Sequence, residues 1–142
     1  MKLDLSSFRN AISQLEEALA YCDSELAHSD PKIKQLFRTA AIQIFEFTYE
    51  LSWKMLKRYI ESASATPATV DQMAFADLIR TGNEQNLLLS GWDKWREFRG
   101  ARSITSHVYD ETKAKEVFVI IPRFSAEAKF LLARLEALNT AS

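Results

Sequence analysis

The residues best equipped for chemistry lie in one stretch, GWDKWREFRGARSITSHVYDE, residues 91 to 111. On a helical wheel of about 100° per residue, Phe98, Ala101, Ile104, Thr105 and Val108 share one face, which must turn toward a core. Arg96, Arg99, Ser103 and Ser106 share the opposite face, with Arg102 at one of its edges and His107 at the other. Arginine grips phosphate through a planar fork of donors, and histidine exchanges a proton near neutral pH. Such a set suits an anion or RNA site. Gly100, near the His107 edge, would let another backbone come close. The plainer reading is a solvated arginine-rich helix face, the commoner fate of such a face, with a histidine favoured at its C-terminal end by the dipole. The wheel also sets a geometric condition. Arg102 and His107 stand about 140° apart on an ideal helix. They can serve one substrate only if the helix bends or ends at His107, or if two copies of it face each other across a dimer.

The elements that must position this stretch read as helices. Leu5, Phe8, Ile12, Leu15, Leu19, Cys22 and Leu26 recur at three-four spacing, which predicts a helix from Asp4 to Ala27. Cys22 sits on that stripe as a small buried hydrophobe. Asp30-Pro31, a capping residue followed by proline, opens a second helix that runs to about Ser62. Its middle, AAIQIFEFTYELSWKMLKRYIE, is apolar on most faces, so it is the central element. Glu50 with Lys54, and Lys57 with Glu61, have the spacing of surface pairs. Thr69 and Gln72 predict a capping box for a short helix ending near Gly82. The NEQNLLLS loop that follows carries three leucines to dock on the bundle or to cover a partner surface. Ser90 with Asp93 predicts the start of the arginine-bearing helix, which runs to about Val108. Asp110 caps a last helix with the stripe Ala114, Val117, Ile121, Phe124, Ala128, Leu131, Leu135 and Leu138. Pro122 lies inside it and predicts a kink rather than a stop. The expectation is an all-α antiparallel bundle of about five helices in a single domain, residues 1–142.

Composition removes several classes of function. With 3 Gly and 3 Pro the chain has too few turn formers for a β-sandwich or barrel. Eighteen Lys and Arg against 19 Asp and Glu give a net charge of −1, which excludes a globally basic nucleic-acid coat but not a local basic patch. The N-terminus has no apolar signal segment, the longest aliphatic and aromatic run is Val117 to Ile121, and a single cysteine forms no intrachain disulfide. A cytoplasmic protein without a membrane span is expected. Two histidines and one cysteine far apart make a poor metal set, and no Gly-rich phosphate loop is present. His28, beside Ser29 and Asp30, reads as a solvated surface residue. Trp92 and Trp95 could stack on unpaired bases, although Trp95 lies near the core border, where packing is expected.

The run from Arg102 to Tyr109, RSITSHVY, resembles the R-x4-H-x-Y motif of HEPN-domain proteins. FEFTYELSWKMLKRYIE at residues 45 to 61, SHVYDE at 106 to 111 and the opening LDLSSFRNAISQLEEAL are similar to the HepT-like group, the nucleotidyltransferase substrate-binding proteins. The resemblance covers nearly the whole chain. It implies a HEPN-like four-helix-bundle core and a homodimer, with Arg102 and His107 lining a cleft between protomers. It also implies metal-independent RNA cleavage without a cofactor. Arg102 would neutralise the phosphate and His107 would move protons, with Arg96, Arg99, Ser103 and Ser106 as further RNA or phosphate contacts. The implied partner is a small nucleotidyltransferase antitoxin that adds AMP to Tyr109. Ser103 stands where the group commonly has Asn or another larger polar residue, and its hydroxyl donates and accepts over a shorter reach. The alternative is a non-catalytic substrate-binding subunit of a small nucleotidyltransferase, since one motif serves both.

Overall fold

The structure, a computed structural model, describes residues 2–141. Among these residues it is all-α, with seven helices and one 3₁₀ turn and no strand. The helices are α1 (Ser6–Cys22), α2 (Glu25–Ser29), α3 (Pro31–Ala63), α4 (Pro67–Asp71), α5 (Phe75–Glu84), α6 (Trp92–Ser103) and α7 (Glu111–Ala141). The 3₁₀ turn spans Thr105–His107. None of the helices is long and apolar enough to cross a membrane.

α3 is the axis of the bundle, as its many-faced apolar sequence predicts. It packs against α1, α2, α4, α6 and α7. Asp30 caps it by accepting from the Lys32 amide at 2.9 Å, and Pro31 occupies the first helical position. α7 is capped by Asp110, whose carboxylate accepts from the Thr112 and Lys113 amides. Its predicted stripe is buried from Ala114 to Leu135, with Leu138 half-buried. The helix does not stop at Pro122, whose ring is exposed.

Where α3, α6 and α7 meet, five rings interlock. Phe124 makes edge-to-face contacts with Phe45, Trp95 and Phe98 at centroid distances of 5.2, 6.2 and 5.4 Å, and a tilted contact with Tyr49 at 6.0 Å. These are favoured geometries for aromatic quadrupoles. The arginine-bearing helix is thereby fixed to the centre of the bundle.

Four local expectations are corrected. The first helix ends at Cys22 rather than Ala27, because Ser24 turns the chain. The Ser24 hydroxyl donates to the Tyr21 carbonyl and accepts from the Ala27 amide, opening α2 on a new axis. Leu26 is consequently 53% exposed and Ala27 is buried in its place. The Thr69–Gln72 capping box does not form, since Thr69 lies inside α4, which Pro67 initiates. Lys54 and Glu61 do not take the surface partners their spacing suggests. Lys57 pairs with Asp71 at 3.1 Å, and Glu50 turns toward α6. Finally, α6 begins after Gly91 without a side-chain cap and ends at Ser103, five residues before Val108.

The NEQNLLLS segment is well ordered by backbone chemistry. α5 closes in a Schellman pattern, with the Leu87 amide donating to the Gly82 carbonyl and the Asn86 amide to that of Asn83. Asn86 has φ 58°, a left-handed conformation that asparagine tolerates better than most residues. The reversal folds Leu88 onto Gly82, where a Cβ would stand 2.9 Å from the Leu88 Cδ1. Leu87 and Leu88 are buried and Leu89 is exposed. Glu127, fully buried on α7, accepts from the Leu89 and Ser90 amides at 2.7 and 3.3 Å. The loop before α6 is thus held by a carboxylate rather than by the predicted Ser90 cap.

Candidate functional site

The C-terminal end of α6 is shaped by its hydroxyl side chains. Ser103 Oγ donates to the Gly100 carbonyl at 2.6 Å, and Thr105 Oγ1 donates to the Arg102 carbonyl at 2.9 Å. Such local bonds compete with the α-helical ladder and favour its termination. The backbone tightens accordingly, with the Ile104 amide reaching Ala101 and the His107 amide reaching Ile104. The α-helix therefore ends between the two motif residues, at Ser103, earlier than the end at His107 that the wheel required, and a 3₁₀ turn carries the chain to His107. Phe98, Ala101 and Thr105 are buried, and Ile104 and Val108 are half-buried, so the predicted inward face is correct.

Arg102 is the most constrained polar group of the stretch. Its Nε lies 3.4 Å from Glu50 Oε1, and its Nη1 lies 3.6 Å from Glu46 Oε2. Nη1 also donates to Thr105 Oγ1 at 3.1 Å. Nε is buried and makes no hydrogen bond, so Glu50 balances its charge without aligned contact. Glu50 is itself oriented by Trp53, whose indole Nε1 donates to Oε2 at 3.2 Å. The guanidinium and both carboxylates are each about a third exposed at the side chain. Arg102 is thus aimed by two carboxylates on α3 and by one threonine.

His107 and Tyr109 have the opposite character. Both are exposed, Tyr109 by 85%, and their ring centroids stand 6.2 Å apart. No hydrogen bond or ion pair joins His107 to Arg102 among the described residues. Arg96, on α6, and Ser106, in the 3₁₀ turn, are both exposed. Arg99 lays its guanidinium over the Phe75 ring at 5.0 Å. Gly100 is exposed, and a Cβ there would meet nothing in this chain within 4 Å.

Beside Arg102 opens a cavity of about 430 Å³ between α3, α4, α5 and α6. Arg99, Arg102 and Ser103 of the predicted set line it, together with Glu50, Trp53, Phe75 and others. Tyr49 reaches it from the core. Burial pushes the Tyr49 phenol well above its ordinary range against the opposing pull of Arg99, and nearby Glu50 pushes the same way. Tyr49 therefore keeps its proton there and is not a base. Trp95 is fully buried among rings and unavailable for base stacking, while Trp92 is half-buried against Phe75. Among the described residues no group of His, Cys, Asp or Glu could hold a metal ion.

Sequence reasoning missed Glu46, Glu50 and Thr105 as partners of Arg102. The available signal was the spacing of Glu46 and Glu50. Two carboxylates one helical turn apart repel unless a cation lies between them.

Comparison with known proteins agrees with this architecture. A probable ribonuclease HepT of Haemophilus influenzae is 35% identical over 140 residues, spanning 97% of this chain and 95% of the relative. A solved H. influenzae structure, described as revealing the fold of a substrate binding domain of a nucleotidyltransferase, superposes with a TM-score of 0.87. It is 31% identical, and the match covers 94% of this chain and 99% of that one. A solved Thermus thermophilus structure matches with a TM-score of 0.66 at 29% identity, over 90% of this chain and 98% of that one. Residues 3–137 match the family described as nucleotidyltransferase substrate binding protein like, and the chain belongs to that family.

Proposed function

We propose that this chain is the HEPN toxin-like component of a nucleotidyltransferase toxin–antitoxin pair and cleaves RNA without a metal. The observation that carries the reading is the pairing of a half-buried, aimed arginine with an exposed histidine and tyrosine where α6 ends. The name of the H. influenzae relative, a probable ribonuclease, supports the same class. In the reaction the ribose 2′-oxygen attacks the adjacent phosphorus and the 5′-oxygen leaves, giving a cyclic phosphate and a free 5′-hydroxyl. His107 transfers the proton between these oxygens, and Arg102 neutralises the charge that builds on the phosphoryl oxygens. Arg96, Arg99, Ser103 and Ser106 hold the flanking strand.

The site is composite. Arg102 and His107 do not contact each other within one chain, so a homodimer that faces two copies of residues 100–109 completes it. The open space at Gly100 leaves room for that approach. The partner nucleotidyltransferase silences the site by transferring the adenylyl group of ATP to the Tyr109 hydroxyl, with pyrophosphate leaving and the phenol proton lost. Tyr109 is the most exposed of the large hydrophobic side chains among the described residues. A bulky anion beside His107 blocks an RNA cleft by volume and by charge. The second reading, a binding subunit without nuclease activity, draws on the family's description.

Cleavage of mixed RNA in EDTA by wild type and His107→Ala tests this. Cleavage by wild type alone is expected. Absence of cleavage by wild type whose intact mass carries no added adenylyl group favours the binding subunit. A monomer in light scattering at micromolar concentration contradicts the composite site.

A further inference from the structure

The cavity next to Arg102 has no role in phosphate chemistry as such, yet its walls are unusual for a surface depression. We propose that it is a nucleobase subsite that admits one unpaired base of the RNA strand and favours guanine. The inference rests on the nuclease reading for the strand, but the binding it predicts can be measured without any cleavage.

Size and walls carry the first step. About 430 Å³ lies within the range of small-ligand sites and is ample for a purine nucleotide. Trp53 and Phe75 meet there at 87° with centroids 6.2 Å apart, forming an aromatic corner rather than a closed stack. One ring can lie flat on a base while the other closes its edge. The Arg99 guanidinium on Phe75 adds a flat cationic surface of the kind that also stacks on bases. Val70, Met73 and Leu78 supply an apolar floor that no charged group of a free ion would need.

The polar groups carry the second step. Glu50 is the carboxylate of this cavity, and it is held by Trp53 at one oxygen and by Arg102 at the other. Oε2 accepts one hydrogen bond from Trp53 and Oε1 faces the Arg102 charge without an aligned hydrogen bond, so both oxygens keep acceptor capacity. Guanine presents two adjacent donors, N1–H and the N2 amino group, which match a carboxylate edge. Adenine and cytosine place a ring-nitrogen acceptor beside their amino group, and uracil flanks its single N–H with carbonyls. A carboxylate therefore selects guanine by attraction and disfavours the others by repulsion. Arg99 and Arg102 both line the cavity, so they offer cations to the phosphate of a base bound there.

The test is calorimetric titration of the purified chain with guanosine, adenosine, cytidine and uridine monophosphates. GMP is expected to bind about ten-fold tighter than the other three. Glu50→Gln should abolish that preference while retaining binding, a change a merely structural role for Glu50 would not produce. Phe75→Leu keeps the apolar volume and should weaken GMP at least about ten-fold by removing the stacking surface. Equal binding of all four nucleotides, no saturable binding of GMP in the millimolar range, or GMP binding unaltered by both substitutions overturns the inference. Preferential GMP binding by a chain that cuts no RNA would uphold the subsite and remove the nuclease reading. RNA cleavage by a chain that binds the four nucleotides alike would do the reverse.

Discussion

α6 and the turn after it contain two regions made on opposite principles. Over Trp95, Phe98 and Ala101 the side chains are buried among Phe45, Tyr49 and Phe124, with edge-to-face ring contacts except at Tyr49, whose contacts are tilted. From Arg102 to Tyr109 the helix tightens and ends, and it sets out an arginine held by polar partners and a histidine and tyrosine that are exposed. The first region stabilises the bundle. The second draws on that stability to hold groups in places that folding alone would not favour, such as an arginine with an unsatisfied buried Nε. If this division is real, substitutions on the two sides must separate stability from activity.

The largest effect is expected on the packed side. Phe124→Ala removes the ring shared by four aromatic neighbours and should cost about 3–5 kcal/mol in urea unfolding. A loss under about 1 kcal/mol would mean that the ring cluster is not the anchor of α6. Glu127→Ala comes next, at about 1–3 kcal/mol, because it leaves the Leu89 and Ser90 amides without their acceptor. Thermal unfolding followed by circular dichroism would measure it, and near-neutral stability would show that water replaces the carboxylate without cost.

On the exposed side the order reverses. His107→Ala and Tyr109→Phe should change stability by no more than about 0.5 kcal/mol, as surface substitutions usually do. His107→Ala should nevertheless abolish RNA cleavage, and Tyr109→Phe should abolish adenylylation by the partner enzyme. Thr105→Val lies between the regions. It removes the hydroxyl that joins the Arg102 carbonyl to its own guanidinium, so a loss of about 1 kcal/mol is expected together with slower cleavage. Full activity in Thr105→Val would show that Glu46 and Glu50 suffice to aim Arg102.

The same division explains what was legible in the sequence. Burial repeats with the helical period, so the stripe of α7, the many-sided α3 and the inward face of α6 could be read from spacing. The Asp30-Pro31 and Asp110 caps were also readable, because their chemistry is local. The end of α6 was not, since Ser103 and Thr105 compete with the helix only once their hydroxyls find particular carbonyls. Nor was the partner of Glu50. Its spacing to Lys54 suggested a surface pair, while the structure turns it across the bundle to Arg102. The motif residues could be identified by their resemblance to a known pattern, but the groups that aim Arg102 come from α3, far away in sequence. Long-range pairing of this kind leaves no local periodicity.

The smallest expected effect sharpens the border itself, because Tyr49 belongs to the ring cluster and also lines the cavity. Burial raises the Tyr49 phenol above its ordinary value, so the folded chain keeps this proton where the unfolded chain releases it. The unfolded state then binds fewer protons, and by linkage stability falls as pH rises. This contribution is intact below about pH 10, the ordinary tyrosine value, and is lost progressively as the pH climbs toward the raised folded value. Tyr49→Phe removes the titrating group and keeps the ring. Its stability should therefore decline less steeply above about pH 10 than that of wild type, with near-equal stability at neutral pH. Unfolding curves for both proteins on either side of that pH would measure the difference. Parallel declines would mean that the Tyr49 phenol opens to water through the cavity, and the packed region would then end at Phe45 and Phe124 rather than at the cavity wall.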